Sequence, residues 1–237
     1  MKGASALLML LAGPAGAAGT ISGTVRAVPR PAVAAPVKIV KDASVCGAVA
    51  AADRLVMAAD GALANVVVSL NGATKSEPGR PPAPIPDAVV DQVGCRYTPH
   101  VQAVTVGTTL SLLNNDAVLH NVHAVKDGIA TPATVFNFAM PFKGEKIPTV
   151  LRHPATLRLR CDAGHTWMSA YIHVFDHPYF AVTDGKGHFT IKDVPPGRYT
   201  LVYWHEPLDD KKEAVVKTAT VEVSTGKETT ADATLGL

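Results

Sequence analysis

Cys161, His165 and Met168 put a thiol, an imidazole and a thioether on one short loop, with the spacing Cys-x3-His-x2-Met. Soft sulfur combined with imidazole selects copper among the common metal ions. A long, weak axial methionine marks a copper ion used for electron transfer. Such a site needs one more imidazole. The segment Leu113-Asn114-Asn115-Asp116-Ala117-Val118-Leu119-His120-Asn121-Val122-His123 can supply it. His120 and His123 are three positions apart and so fall on opposite faces of an extended strand.

The thiol must be delivered by a strand. In Thr156-Leu157-Arg158-Leu159-Arg160-Cys161 the alternation turns Leu157, Leu159 and Cys161 inward, with Arg158 and Arg160 toward water. Comparable short runs recur along the chain, among them 21–28, 64–70, 101–106, 108–113, 119–125, 134–138, 170–175, 188–191, 198–204 and 218–223. Gly, Pro and Asn-Asp turns separate them, and no long helical periodicity is present. Many short strands between turn signals predict an all-β sandwich or barrel. The stretch 42–60 reads as irregular, and the Pro-rich stretch 76–87 as a semi-rigid connector.

From Cys95 to Phe175 the sequence resembles the cupredoxins, the family of plastocyanin and pseudoazurin. The resemblance rests on Val104 to Asn115, then His120-Asn121-Val122, then Cys161 to Met168, closed by Ala170-Tyr171-Ile172-His173-Val174-Phe175. It implies a Greek-key sandwich of eight strands with one mononuclear type 1 copper near one end. His120 and His165 would be the imidazole ligands, Cys161 the thiolate and Met168 the axial ligand. It further implies that His165 sits at the surface beneath an apolar patch and passes electrons; Trp167, Met140, Pro141 and Phe142 are candidates for that patch, with ordinary core or loop packing as the alternative. The Cys-x3-His-x2-Met spacing also resembles the dinuclear copper centre of cytochrome oxidase. That centre needs a second cysteine where this chain has Leu157, so one copper is expected.

A second resemblance flanks the first. Gly19 to Val25, Ala64 to Leu70, Tyr179 to Ile191 and Val194 to Leu201 are similar to the strands and turns of carboxypeptidase-regulatory-like, transthyretin-like domains. The implied organisation is a signal peptide over 1–18, a discontinuous β-sandwich over 19–75 and 177–237, the connector 76–87, and a copper domain over 88–176 inserted between the halves. The signal reading rests on Lys2, the apolar run 4–12 and the small residues through Ala18. That run is too short to span a bilayer, so an exported, periplasmic protein without a membrane span is expected.

Three cysteines leave at least one thiol without an internal partner. Cys46 and Cys95 lie outside the ligand loop, and in an oxidising compartment they pair most simply with each other; two free thiols are the alternative. His100, His123, His173 and His177 are candidates for a second metal site, against the plainer reading of solvated histidines. With 18% charged and 47% hydrophobic residues the chain is not a disordered tail. Its basic residues are scattered, which argues against a nucleic-acid partner. The sequence holds no His-x-His pair and no nucleophile–base pair with convincing spacing, so catalysis is not expected. Single-electron transfer to a redox partner protein is the leading expectation. Copper storage, delivery or tolerance is the second, and a carbohydrate- or protein-binding sandwich with an accessory copper site the third.

Overall fold

The computed structural model describes residues 18–32, 35–50, 53–72, 86–128, 131, 133–209 and 212–237. All but the last residue of the expected signal segment and most of the Pro-rich connector lie outside these. The protein is all-β: the regular elements among its described residues are strands, apart from one four-residue helix, Ala43–Cys46.

Two sheets face each other between residues 88 and 175. One runs in the order Ala133–Met140, His120–Lys126, Ala155–Arg160, Ser169–Phe175, Val101–Thr105; the other in the order Glu145–Val150, Thr109–Asn114, Ala88–Gln92, Tyr97–Thr98. Each sheet mixes antiparallel neighbours with one parallel pair, Ser169–Phe175 beside Val101–Thr105 and Ala88–Gln92 beside Thr109–Asn114. Parallel neighbours cannot be joined by a hairpin, so the chain crosses between the sheets and produces a Greek-key sandwich. It has nine strands, one more than expected. Between the sheets lies a core that includes Val90, Leu110, Leu112, Val122, Ala124, Leu157, Leu159 and Ile172.

The strand that delivers the thiol follows its alternation. Leu157, Leu159 and Cys161 are buried, and Arg160 is exposed. Arg158 departs from the expectation. It is half-buried and lines a cleft of about 540 Å³ with Tyr171, Trp204 and Glu213, because a second sandwich covers that face.

That second sandwich is built from both ends of the chain. Gly19–Ala27 pairs with His188–Val194, Glu228–Thr230 and Ala233–Leu235, and Val67–Asn71 pairs with Phe180–Val182 and Gly197–His205. Its core holds Ile21, Leu63, Val68, Leu70, Phe189, Ile191, Leu201 and Tyr203. Where the two sandwiches meet, Val67, Val101, Tyr171 and Trp204 form a small cluster of their own. Trp204 packs edge-on against Tyr171 and His173, with centroids 5.0 and 4.3 Å away, and His100 pairs with Glu206 beside them.

His173 makes this junction acid-sensitive. Burial lowers its pKa from 6.5 to about 3, so the folded protein holds it neutral. Below pH 6.5 the unfolded chain takes up a proton that the folded chain refuses. Stability therefore falls on acidification from about 6.5 toward about 3, at up to about 1.4 kcal/mol per pH unit from this group. His177 and His205, lowered mainly by burial, act in the same direction. Urea unfolding at pH 7 and pH 5 should show the loss, and His173→Phe should make the dependence shallower. An unchanged slope in that variant would contradict this role.

One further element reaches the metal-loop end of the first sandwich. Val37–Lys38 and Val49–Ala50 pair as a two-stranded hairpin around the helix Ala43–Cys46. It belongs in sequence to the second sandwich, yet Ile39, Cys46 and Ala50 are buried in the core of the first. The Cys46–Cys95 disulfide fastens it there, with Cα atoms 5.1 Å apart.

Candidate metal centre

Three side chains converge at one end of the first sandwich. Cys161 follows the last residue of Ala155–Arg160, and His120 is the first residue of His120–Lys126. His165 sits on the loop between Ala155–Arg160 and Ser169–Phe175. Gly164 has φ +97°, a conformation that glycine adopts without steric cost, and it lets the chain fold back toward Cys161. The Met168 amide then donates to the His165 carbonyl at 2.9 Å, and the chain enters Ser169–Phe175.

The His120 and His165 Nδ1 atoms are 3.1 Å apart, and Cys161 Sγ is 3.6 Å from His165 Nδ1. All three donor atoms lie within 4.8 Å of one another, and all three residues are buried. Met168 is buried in the same core cluster as Cys161. Cys161 is the one free cysteine of the described residues.

The outer partners fix which nitrogen faces the centre. His120 Nε2 lies 2.8 Å from Asp116 Oδ2, and His165 Nε2 lies 2.9 Å from Asp42 Oδ2. A neutral imidazole has one N–H and one lone pair, and a carboxylate can only accept. Each Nε2 therefore carries the proton, and each Nδ1 turns its lone pair inward. Two lone pairs and a sulfur directed at one buried point suit a soft or borderline cation. Burial lowers the His120 pKa, against the opposing pull of Asp116, so its inward face stays neutral.

Asp116 does more than orient His120. Its two oxygens also accept from the amides of Gly94 and Cys95, at 2.8 and 2.7 Å. Asn114 pins the same turn by donating to the carbonyls of Met140 and Val118. The Asn-Asn-Asp turn is thereby a built support for the first imidazole. The Tyr97 hydroxyl donates to the Asn121 carbonyl, and burial beside Cys161 raises the Tyr97 pKa well above 10.0. Trp167 stands edge-on to His165 at 5.2 Å and donates to the Cys95 carbonyl at 3.1 Å.

One expected feature is absent. His165 is 0% exposed and so does not reach the surface. The 37–50 hairpin covers it: Asp42 holds its outer nitrogen, and the Lys41 ammonium donates to the Ala163 carbonyl in the ligand loop. The expected apolar patch is split as well, since Met140 is fully buried while Phe142 is 70% exposed.

The other histidines do not converge. His100 pairs with Glu206, and His123 lies between Asp162 Oδ2 and Thr134 Oγ1 at 2.6 and 2.7 Å. His173 Nδ1 meets Thr156 Oγ1, and His177 Nδ1 accepts from the Tyr179 amide. Among the described residues, no cluster of three ligand atoms includes His100, His123, His173 or His177. Each ring has a structural partner of its own.

Residues 164–231 match the family described as polysaccharide lyase family 4, domain II. That stretch is less than a third of the chain; it begins inside the ligand loop and continues into the second sandwich. No curated protein matches the chain. Solved structures similar to part of it include an amicyanin variant in its oxidized state, at 28% identity over 37% of this chain and 81% of amicyanin, with a TM-score of 0.32. A purple cupredoxin from Nitrosopumilus maritimus is 23% identical over 37% of this chain and 99% of its own, with a TM-score of 0.32. A copper-containing nitrite reductase from Thermus scotoductus SA-01 is 23% identical over 42% of this chain and 25% of its own, with a TM-score of 0.31. The region 88–175 is thus a Greek-key β-sandwich of two mixed sheets with a His–Cys–His set buried at one end, as the sequence resemblance implies.

Proposed function

We propose that this is an exported protein that binds one copper ion through His120, Cys161, His165 and Met168 and carries single electrons to a partner protein. The reading rests on one observation above all: two imidazole Nδ1 atoms and a free thiol sulfur within 4.8 Å, in a buried pocket. The donor chemistry fits copper, since soft sulfur and imidazole prefer it to hard cations. Copper bound there would supply a one-electron couple between Cu(I) and Cu(II). The chain's own residues do the rest. Asp116 and Asp42 hold both imidazoles in the binding tautomer. The burial of His120, Cys161 and His165 keeps water from the donors, and the two sheets fix the donor positions so that little moves when charge changes. The Cys46–Cys95 bridge agrees with an oxidising compartment. Among the described residues no helix is long and apolar enough to cross a membrane.

A second reading, copper storage or delivery, is favoured by the burial of His165, which leaves that ligand without an exposed edge. Cu(II) titration followed by voltammetry separates the two. Electron transfer predicts an intense thiolate-to-copper band saturating at one equivalent and a reversible one-electron wave. A colourless complex, or an irreversible wave, favours storage.

A further inference from the structure

The 37–50 hairpin is more than packing. Its carboxylate is brought to a ligand imidazole 123 positions away in sequence, at 2.9 Å. Three independent contacts hold the hairpin in that place: the Cys46–Cys95 disulfide, the Lys41 donation to the Ala163 carbonyl, and the burial of Ile39 and Ala50 in the core of the first sandwich. Asp42 itself has φ +53°, a conformation uncommon for a side-chain-bearing residue, at the start of the helix Ala43–Cys46. Its side chain is 34% exposed, so the carboxylate reaches His165 from the solvent side and is not itself a buried charge.

A carboxylate that accepts the outer N–H of an imidazole has two effects. It fixes the ring's tautomer and orientation, and it pushes electron density toward the inner nitrogen, making it a stronger donor. A stronger donor favours the more highly charged oxidation state of a bound ion. His120 has the same arrangement through Asp116, but that carboxylate also supports the Gly94 and Cys95 amides. Asp42 serves the imidazole without those backbone duties, so its contribution can be isolated.

We propose that Asp42 is a positioning residue of the metal centre: through its hydrogen bond to His165 Nε2 it sets the imidazole tautomer and stabilises the oxidised ion relative to the reduced one. The proposal rests on the copper reading above. It gives the hairpin a function, which is to replace an open histidine edge with an anionic partner.

Two measurements on the full chain test it. The first needs no metal. In the metal-free protein, nitrogen-detected NMR should show His165 as the Nε2–H tautomer with a slowly exchanging ring proton. Asp42→Ala should speed that exchange about tenfold or more, while Asp42→Asn, whose amide oxygen can still accept, should restore most of the protection. The second uses the copper-loaded protein. Both variants should keep the charge-transfer colour, and Asp42→Asn should raise the reduction potential by about 59 mV, a tenfold loss in the preference for Cu(II) over Cu(I). An Nδ1–H tautomer in the wild type, or wild-type colour with an unchanged potential in both variants, overturns the role of Asp42 alone. A wild-type chain that takes up no copper overturns the copper reading and the proposal together.

Discussion

Cys161→Ser should abolish the intense thiolate-to-copper band expected of the copper-loaded protein and leave a folded chain. The colour requires a thiolate, and Cys161 is the one free cysteine of the described residues. Serine offers a hard, neutral oxygen in its place, which suits copper poorly. The affinity should fall by more than the roughly 10–100-fold that loss of an outer partner costs. The structural cost is smaller. Serine is nearly the same size, and a buried hydroxyl with an imperfect partner costs about 1–3 kcal/mol. Near-ultraviolet circular dichroism should therefore stay native-like while Cu(II) titration gives no intense band. A variant that stays blue would show that the thiolate ligand has been misassigned.

Removing the disulfide should produce the opposite pattern. In the Cys46→Ser, Cys95→Ser double variant the two residues, 49 apart, no longer close a loop in the unfolded chain. Chain entropy puts the loss at about 4 kcal/mol. The native state also loses the anchor that holds the hairpin over His165. Neither sulfur is free to act as a donor in the native protein, so the copper band should survive. Equilibrium denaturation of wild type and variant, each monitored with and without copper, checks both halves. A loss under about 1 kcal/mol would mean that the unfolded state is already constrained near these residues. A vanished band would place one of the bridge cysteines at the metal.

These two substitutions also separate what the sequence discloses from what it hides. The strand through Leu157, Leu159 and Cys161 is legible because alternation over a half-buried strand has a period of two, and the thiol falls on the inward phase. The ligand loop is legible because its donors are neighbours in sequence. The hairpin is not. Its strands are two residues long and its helix four, too short for either periodicity to register. Asp42 and His165 are far apart in the chain, and nothing local marks Asp42 as a partner. Cys46 was the available signal: a cysteine that must bridge to Cys95 brings its neighbours to the same end of the sandwich.

Asp116 is an intermediate case. Asn114-Asn115-Asp116 reads as a turn, and it is one, but Asp116 also lies four positions before His120, close enough for a carboxylate to support a ligand ring. The strand Glu145–Val150 was hidden by Pro148, which is tolerated because this strand lies at the edge of its sheet. The exposed position expected for His165 failed for a long-range reason. A segment from the other sandwich covers it, and short-range patterning carries no record of such a contact.

X-ray absorption at the copper edge of the Cu(II)-loaded protein reads the donor set itself. One copper per chain is expected, with one short sulfur and two imidazole nitrogens in the inner shell, and no inner-shell sulfur in Cys161→Ser. An inner shell of nitrogen and oxygen alone in the wild type would contradict it.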